Sequence, residues 1–123
     1  MTQRIIKFRA WDTRINEMEE FDLNSIYWRG EETGDYDFPD SCVTVMQFTG
    51  LLDKNGKEGF EKDIVEFEEP EFETEMVKGI IEFEDGCFRA KTKDGNYLLF
   101  TITDFEIIGN IMENPELLEE KIK

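Results

Sequence analysis

The chain contains no histidine. That removes Ser–His and Cys–His nucleophile activation, histidine acid–base chemistry and the usual zinc sites. Cysteine is scarce: Cys42 and Cys87 lie far apart and outside any C-x-x-C pair. Both sit among strand-forming residues, which points to two reduced structural thiols, with a Cys42–Cys87 disulfide as the alternative. No apolar run approaches the ~20 residues that a membrane-crossing helix requires. Residues 4–11, RIIKFRAW, alternate like a strand and do not form a basic region followed by a long apolar core. No signal peptide is therefore expected, and the expected location is the cytoplasm. Basic groups are few: 14 Lys and Arg stand against 30 Asp and Glu, a formal net charge of -16. An excess of this sign repels nucleic acid, whose affinity comes mainly from cations displacing counterions, and attracts basic protein surfaces.

The charge is unevenly distributed. Residues 1–30 carry five groups of each sign, and residues 31–75 carry 15 acidic and three basic groups. Two segments without Lys or Arg hold much of this excess, Gly30–Asp40 and Glu66–Glu75. Solvated acidic loops are the simplest account. The sharper one is a docking surface in which Tyr36, Phe38, Phe67 and Phe72 anchor a basic partner between carboxylates. In the second segment the candidate contact residues are Glu68, Glu69, Glu71, Phe72, Glu73 and Glu75.

What remains is a β-rich chain of one domain, with N-terminal (1–58) and C-terminal (59–123) subdomains as a finer division. Ile6, Phe8 and Ala10 alternate with Lys7 and Arg9, the pattern of a half-buried strand with the two cations outward. Met18–Phe21, Ile26–Trp28 and Cys42–Phe48 read as further strands. Asp53-Lys54-Asn55-Gly56-Lys57 is a hairpin turn, with Asn-Gly suited to the two positive-φ positions of a type I′ turn. Asp53 and Asn55 lack the further ligands of a calcium loop. Beyond Asp63, Val77, Ile81 and Phe83 share one strand face, opposite Lys78, Glu82 and Glu84. Asp85-Gly86 and Asp94-Gly95-Asn96 supply tight turns to strands at Cys87–Thr92 and Tyr97–Ile102, with a last strand at Glu106–Ile111. The fold expected is mainly β: a small SH3-like barrel, an additional N-terminal β region and a short C-terminal helix. In that helix Asn114 caps, Pro115 takes the first position, and Leu117, Leu118 and Ile122 form an apolar stripe. The stripe packs on the barrel or on a second copy, so homo-oligomerisation is an expectation.

The stretch Met46–Val65, MQFTGLLDKNGKEGFEKDIV, resembles the central signature of the YopX family of phage and prophage proteins. There an apolar strand runs into Q-[YF]-T-G-L, then D-K-N-G-K-E, then an E-x-D-I-V-like segment. Residues 6–12 look like the family's opening, and Ile107–Ile111 with Glu113–Leu117 look like its close. The resemblance implies a phage accessory protein in the host-cell cytoplasm and brings no established activity, catalytic residue, metal or cofactor. Trp11, Thr49, Gly50, Asp53, Gly56, Asp63, Gly109 and Asn110 stand at its motif positions, where turn, cap and backbone-bonding roles are expected. The family form resembles I-[YF]-E-G-D-I-V, whereas this chain has Gly59 and Lys62. If the family's glycine has positive φ, either Lys62 takes the strain, or the turn is reshaped and the bend moves to Gly59.

The expected function is non-enzymatic binding of a protein partner through the acidic surface. One alternative is a nucleic-acid-associated module in phage replication or regulation, with Arg4, Lys7, Arg9, Arg89, Lys91 and Lys93 gathered on one face. A metal-dependent hydrolase using Asp53, Glu61 and Asp63 is a third reading.

Overall fold

The structure is a computed structural model that describes residues 5–22, 43–70, 75–93 and 95–118. Its elements are strands β1 (Lys7–Asp12), β2 (Glu17–Asp22), β3 (Val43–Leu52), β4 (Glu58–Phe60), β5 (Asp63–Glu68), β6 (Met76–Glu84), β7 (Cys87–Thr92), β8 (Asn96–Leu98) and β9 (Glu106–Asn110). Two 3₁₀ turns, Leu99–Thr101 and Pro115–Leu118, complete them. The chain is mainly β, in two antiparallel sheets ordered β2-β1-β3-β4 and β8-β7-β6-β5-β9. The second sheet curls into half a barrel, so the small-barrel expectation holds with the barrel open between β8 and β9.

The curl follows from the strand sequences. Val65 and Phe67 of β5, Ile81 of β6 and Ala90 of β7 point to the concave side. Leu99, Ile102, Phe105 and Ile107 close over them to form the core, and Leu51 reaches in from β3. Phe67 is fully buried, with Tyr97 packed edge-on at 5.7 Å between ring centroids. Asp85 and Gly86 both have positive φ between Glu84 and Cys87, as a two-residue I′ hairpin needs.

Several expectations shift. The strand expected at Cys42–Phe48 extends to Leu52, and the one expected at Tyr97–Ile102 yields after Leu98 to a 3₁₀ turn that turns Leu99 inward. At the Asn55-Gly56 turn only Gly56 has positive φ, +83°, so the turn is not type I′. Gly56 N–H bonds to Asp53 O and Asp53 N–H to Lys57 O, the pattern of a type I turn closed by a glycine bulge. Phe83 is half exposed, because the core ends at Ile81. Arg9 is turned inward instead of outward and is buried. The described part of the C-terminal helix is the single 3₁₀ turn; Asn114 precedes it and its carbonyl accepts from Leu117 N–H, but its side-chain Oδ1 accepts from Asn110 N–H and not from the turn. The strand expected at Ile26–Trp28, the segment 30–41 and Ile122 lie outside the described residues.

Candidate functional site

The signature residues build two joints. In the first, Asp53 is nearly buried at the head of its turn. Its Oδ1 accepts from Asn55 N–H and Lys57 N–H, both at 2.9 Å, and its Oδ2 accepts from Ile107 N–H at 2.9 Å. Lys54 N–H adds a bond to Phe105 O. β9 ends the second sheet, and these groups face away from its partner β5, so the turn plugs an otherwise open edge. Burial pushes the Asp53 carboxyl up, but the Ile107, Lys57 and Asn55 N–H groups and the Lys57 charge outweigh it and hold it below its ordinary value. Upstream, Gly50 at φ +85° makes an irregularity in the β3–β4 pairing. Thr49 Oγ1 bridges it, donating to Gly59 O at 2.8 Å and accepting from Leu51 N–H.

The second joint crosses between the sheets. Arg9 Nη2 of β1 meets Asp63 Oδ1 of β5 at 2.6 Å and also donates to Glu61 O at 3.2 Å. Its guanidinium lies over the Phe60 ring, 4.7 Å from the centroid. Asp63 Oδ2 accepts from Phe60 N–H at 2.8 Å. Burial pushes the Asp63 carboxyl up, and the Arg9 charge and these bonds recover only part of that rise. Between the strands that carry these groups, Glu61 and Lys62 make the passage from one sheet to the other. Glu61 Oε1 accepts from Gln47 N–H, while Lys62 N–H donates to Ile81 O. Lys62 has φ +72°, so it takes the strain, and Gly59 sits buried in β4 without positive φ. Lys62 Nζ is held at 2.8 Å by Glu82.

At the C-terminal end, Asn110 Oδ1 accepts from Met112 and Glu113 N–H, turning the chain after β9. A methyl on Gly109 would come within 2.6 Å of Asn114 Oδ1 and 2.9 Å of Leu117 Cδ1, so glycine there is a matter of close approach. Trp11 is half-buried in β1 between Met18 and Thr44. Each of the eight motif residues thus lies in a strand, turn or joint.

The acidic candidates lie elsewhere, where β5 leads to β6. Glu68 and Glu75 are exposed, and Glu68 N–H bonds Asp104 Oδ2. Glu69 differs from them: its Oε1 accepts from Tyr97 O–H at 2.7 Å, and its N–H bonds Glu75 O. Half-exposed Met76 stands directly across from Glu68. Glu71, Phe72 and Glu73 lie outside the described residues.

Four of the basic residues expected to gather on one face have partners within the chain. Arg9 is in the inter-sheet joint, and Lys7 is paired with Glu58. Lys91 meets Glu84 at 2.9 Å; their hydrogen bond holds the carboxyl down and the ammonium up. Arg89 Nε bonds Glu84 O; Arg4 lies outside the described residues. Nor do Asp53, Glu61 and Asp63 converge: each is engaged separately, and no group of three metal-ligating side chains occurs among the described residues. Cys87 is a free, half-buried thiol, and Cys42 is outside the described residues. Alternation alone misassigned Arg9; the one available signal was Asp63, a carboxylate directly before the apolar Ile64-Val65 pair, which needs a cation when buried.

This architecture defines a class: a small acidic β protein with a four-stranded sheet docked on a half-barrel through a buried Arg–Asp pair. The chain matches the YopX protein family over residues 7–119 and belongs to that family. Protein EF1440 from Enterococcus faecalis is similar in structure, with 28% identity and a TM-score of 0.63, over 95% of this chain and 100% of that one. Protein yopX from Bacillus subtilis shares the fold at 21% identity and a TM-score of 0.59, over 95% and 98%. No curated protein matches the sequence.

Proposed function

We propose that the chain is a non-enzymatic phage or prophage accessory protein that binds a basic protein partner through the acidic end of the β5–β6 hairpin. The observation that carries this reading is the exposed Glu68 and Glu75 beside half-exposed Met76, in a region, residues 31–75, with 15 acidic and three basic groups. Among the described residues neither Glu68 nor Glu75 forms an ion pair, whereas Asp53 and Asp63 are engaged in the joints. An apolar side chain among unpaired carboxylates suits the aliphatic stem and charged head of a Lys or Arg. Nucleic acid is the weaker reading, because Lys7, Arg9 and Lys91 each face a carboxylate. Binding in the host-cell cytoplasm, and self-association through Leu117 and Leu118, belong to the same proposal.

The test is retention of a partner from phage-carrying cells at physiological salt, comparing the wild type with Glu68→Gln/Glu75→Gln. Glu69 is kept because it holds Tyr97. A basic protein retained by the wild type and lost from the variant, at unchanged urea midpoint, supports the reading. Equal retention by both, or none by either, overturns it.

A further inference from the structure

Asn55 is the one asparagine followed by glycine; the others precede Glu17, Ser25, Tyr97, Ile111 and Pro115. Both Asn55 and Gly56 are exposed, and beyond the adjoining Asn55 and Lys57 no atom lies within 4 Å of where a Gly56 Cβ would stand. Gly56 has no side chain of its own to shield its nitrogen, and its exposed position leaves room for the Asn55 side chain to fold back. Asn55 Nδ2 donates to Glu106 Oε2 at 3.3 Å, and Asn55 N–H is anchored on Asp53. We propose that Asn55 is a site of spontaneous deamidation, and that its conversion unfastens the turn from the edge of β9.

The chemistry needs only water. The Gly56 nitrogen gives its proton to hydroxide and attacks Asn55 Cγ. A ring C–N bond forms, the Cγ–Nδ2 bond breaks, and the amide nitrogen takes a proton from water and leaves as ammonia, which regenerates the hydroxide. Water then opens the succinimide at either carbonyl, giving aspartate or isoaspartate; nothing is oxidised or reduced. Two bonds restrain the first step, Gly56 N–H to Asp53 O at 2.9 Å and Asn55 Nδ2 to Glu106 Oε2 at 3.3 Å, the latter between exposed or half-exposed groups. Lys54, Asn55, Gly56 and Lys57 are all exposed, so local opening of this turn releases that N–H without global unfolding.

Either product places a carboxylate where an amide donated to Glu106. Lys54, 3.6 Å from Glu106, only partly offsets the new repulsion. Isoaspartate also adds a methylene to the backbone between Asn55 N–H and Lys57 N–H, the two groups that share Asp53 Oδ1. Misplacing Asp53 releases Ile107 N–H, and with it the plug on β9.

The experiment incubates the full chain in mildly alkaline buffer at body temperature. It follows charge by isoelectric focusing, the modified position by peptide mass spectrometry, and stability by urea unfolding. The expected result is loss of the amide at Asn55 while the other asparagines keep theirs, with isoaspartate at that position and a lower urea midpoint in the converted fraction. Asn55→Gln keeps its charge and midpoint over the same period. If the folded chain keeps the Asn55 amide while the chain in urea loses it, the Gly56 hydrogen bond blocks the reaction and the proposal is overturned. Conversion with an unchanged midpoint overturns the unfastening.

Discussion

Arg9, Asp53 and Lys62 carry disproportionate weight for single residues. Removing Arg9 alone leaves Asp63 buried without its counter-charge, which costs about 3–5 kcal/mol. Arg9→Leu should therefore be strongly destabilised in urea unfolding. Because the partners share one interaction, Arg9→Leu/Asp63→Asn should lose less than the two single losses combined. Asp53→Ala should lose about 2–3 kcal/mol at neutral pH, since it strips charged acceptors from three backbone N–H groups. Its folded pKa lies below the ordinary 3.8, so this stabilisation is fully present above pH 3.8 and is lost as pH falls through the folded value. The gap between wild type and Asp53→Ala in urea titrations should close below that pH; a gap that stays constant would assign the effect to packing. Asp63, whose value is raised, has the opposite sign: its ionisation subtracts stability as pH rises from 3.8 through the folded value. Lys62 bears a positive φ unsuited to a side chain, and its ion pair with Glu82 is partly solvent-screened. Lys62→Gly should raise stability by about 0.5–1 kcal/mol, read as a higher urea midpoint. That strain was legible from the departure at position 62. The inward turn of Arg9 was not, because alternation gives a residue's face without saying that a second sheet lies on it.

Elements succeed here by joining edges. Strand β9 would leave Ile107 N–H unpaired on its outer side, and the Asp53 turn supplies the missing partner. The side chains of Asn114 and of Leu117 in the second 3₁₀ turn lie closer to Gly109 than a Cβ there would allow without their moving. Gly109→Ala should lift that turn from the sheet at a cost of about 1–3 kcal/mol, visible as faster amide exchange in residues 110–117. Unchanged exchange would show that Asn114 and Leu117 step aside freely. Strands β1, β2, β3, β7 and β9 were legible because their periodicity and turn residues agree. The 3₁₀ turn at Leu99–Thr101 was hidden within an apolar run that reads equally as strand. Its chain reverses because Leu99 and Ile102 both must reach the core.

The whole molecule must hold together against a net charge of -16. Its acidic surface repels itself over about 30 Å at 0.01 M salt and about 3 Å at 1 M. Thermal unfolding should shift upward as salt rises over this range, as the folded state is relieved more than the expanded one. A melting temperature that falls with salt would show that ion pairs such as Lys7–Glu58 and Lys91–Glu84 outweigh the repulsion.

Composition and pattern by themselves determined that the chain is mainly β and acidic, without histidine chemistry, and that a tight turn interrupts the Met46–Val65 signature after its opening strand. These properties rest on local preferences: alternation, turn residues with positive φ, and charge counted along the sequence. Only the tertiary structure decided what the signature joins. Arg9 and Asp63 are 54 positions apart, as are Asp53 and Ile107. The reason is that a buried carboxylate is stable only where donors converge on it, and here those donors come from different strands. Their convergence is set by how the two sheets meet, a relation that no local pattern encodes.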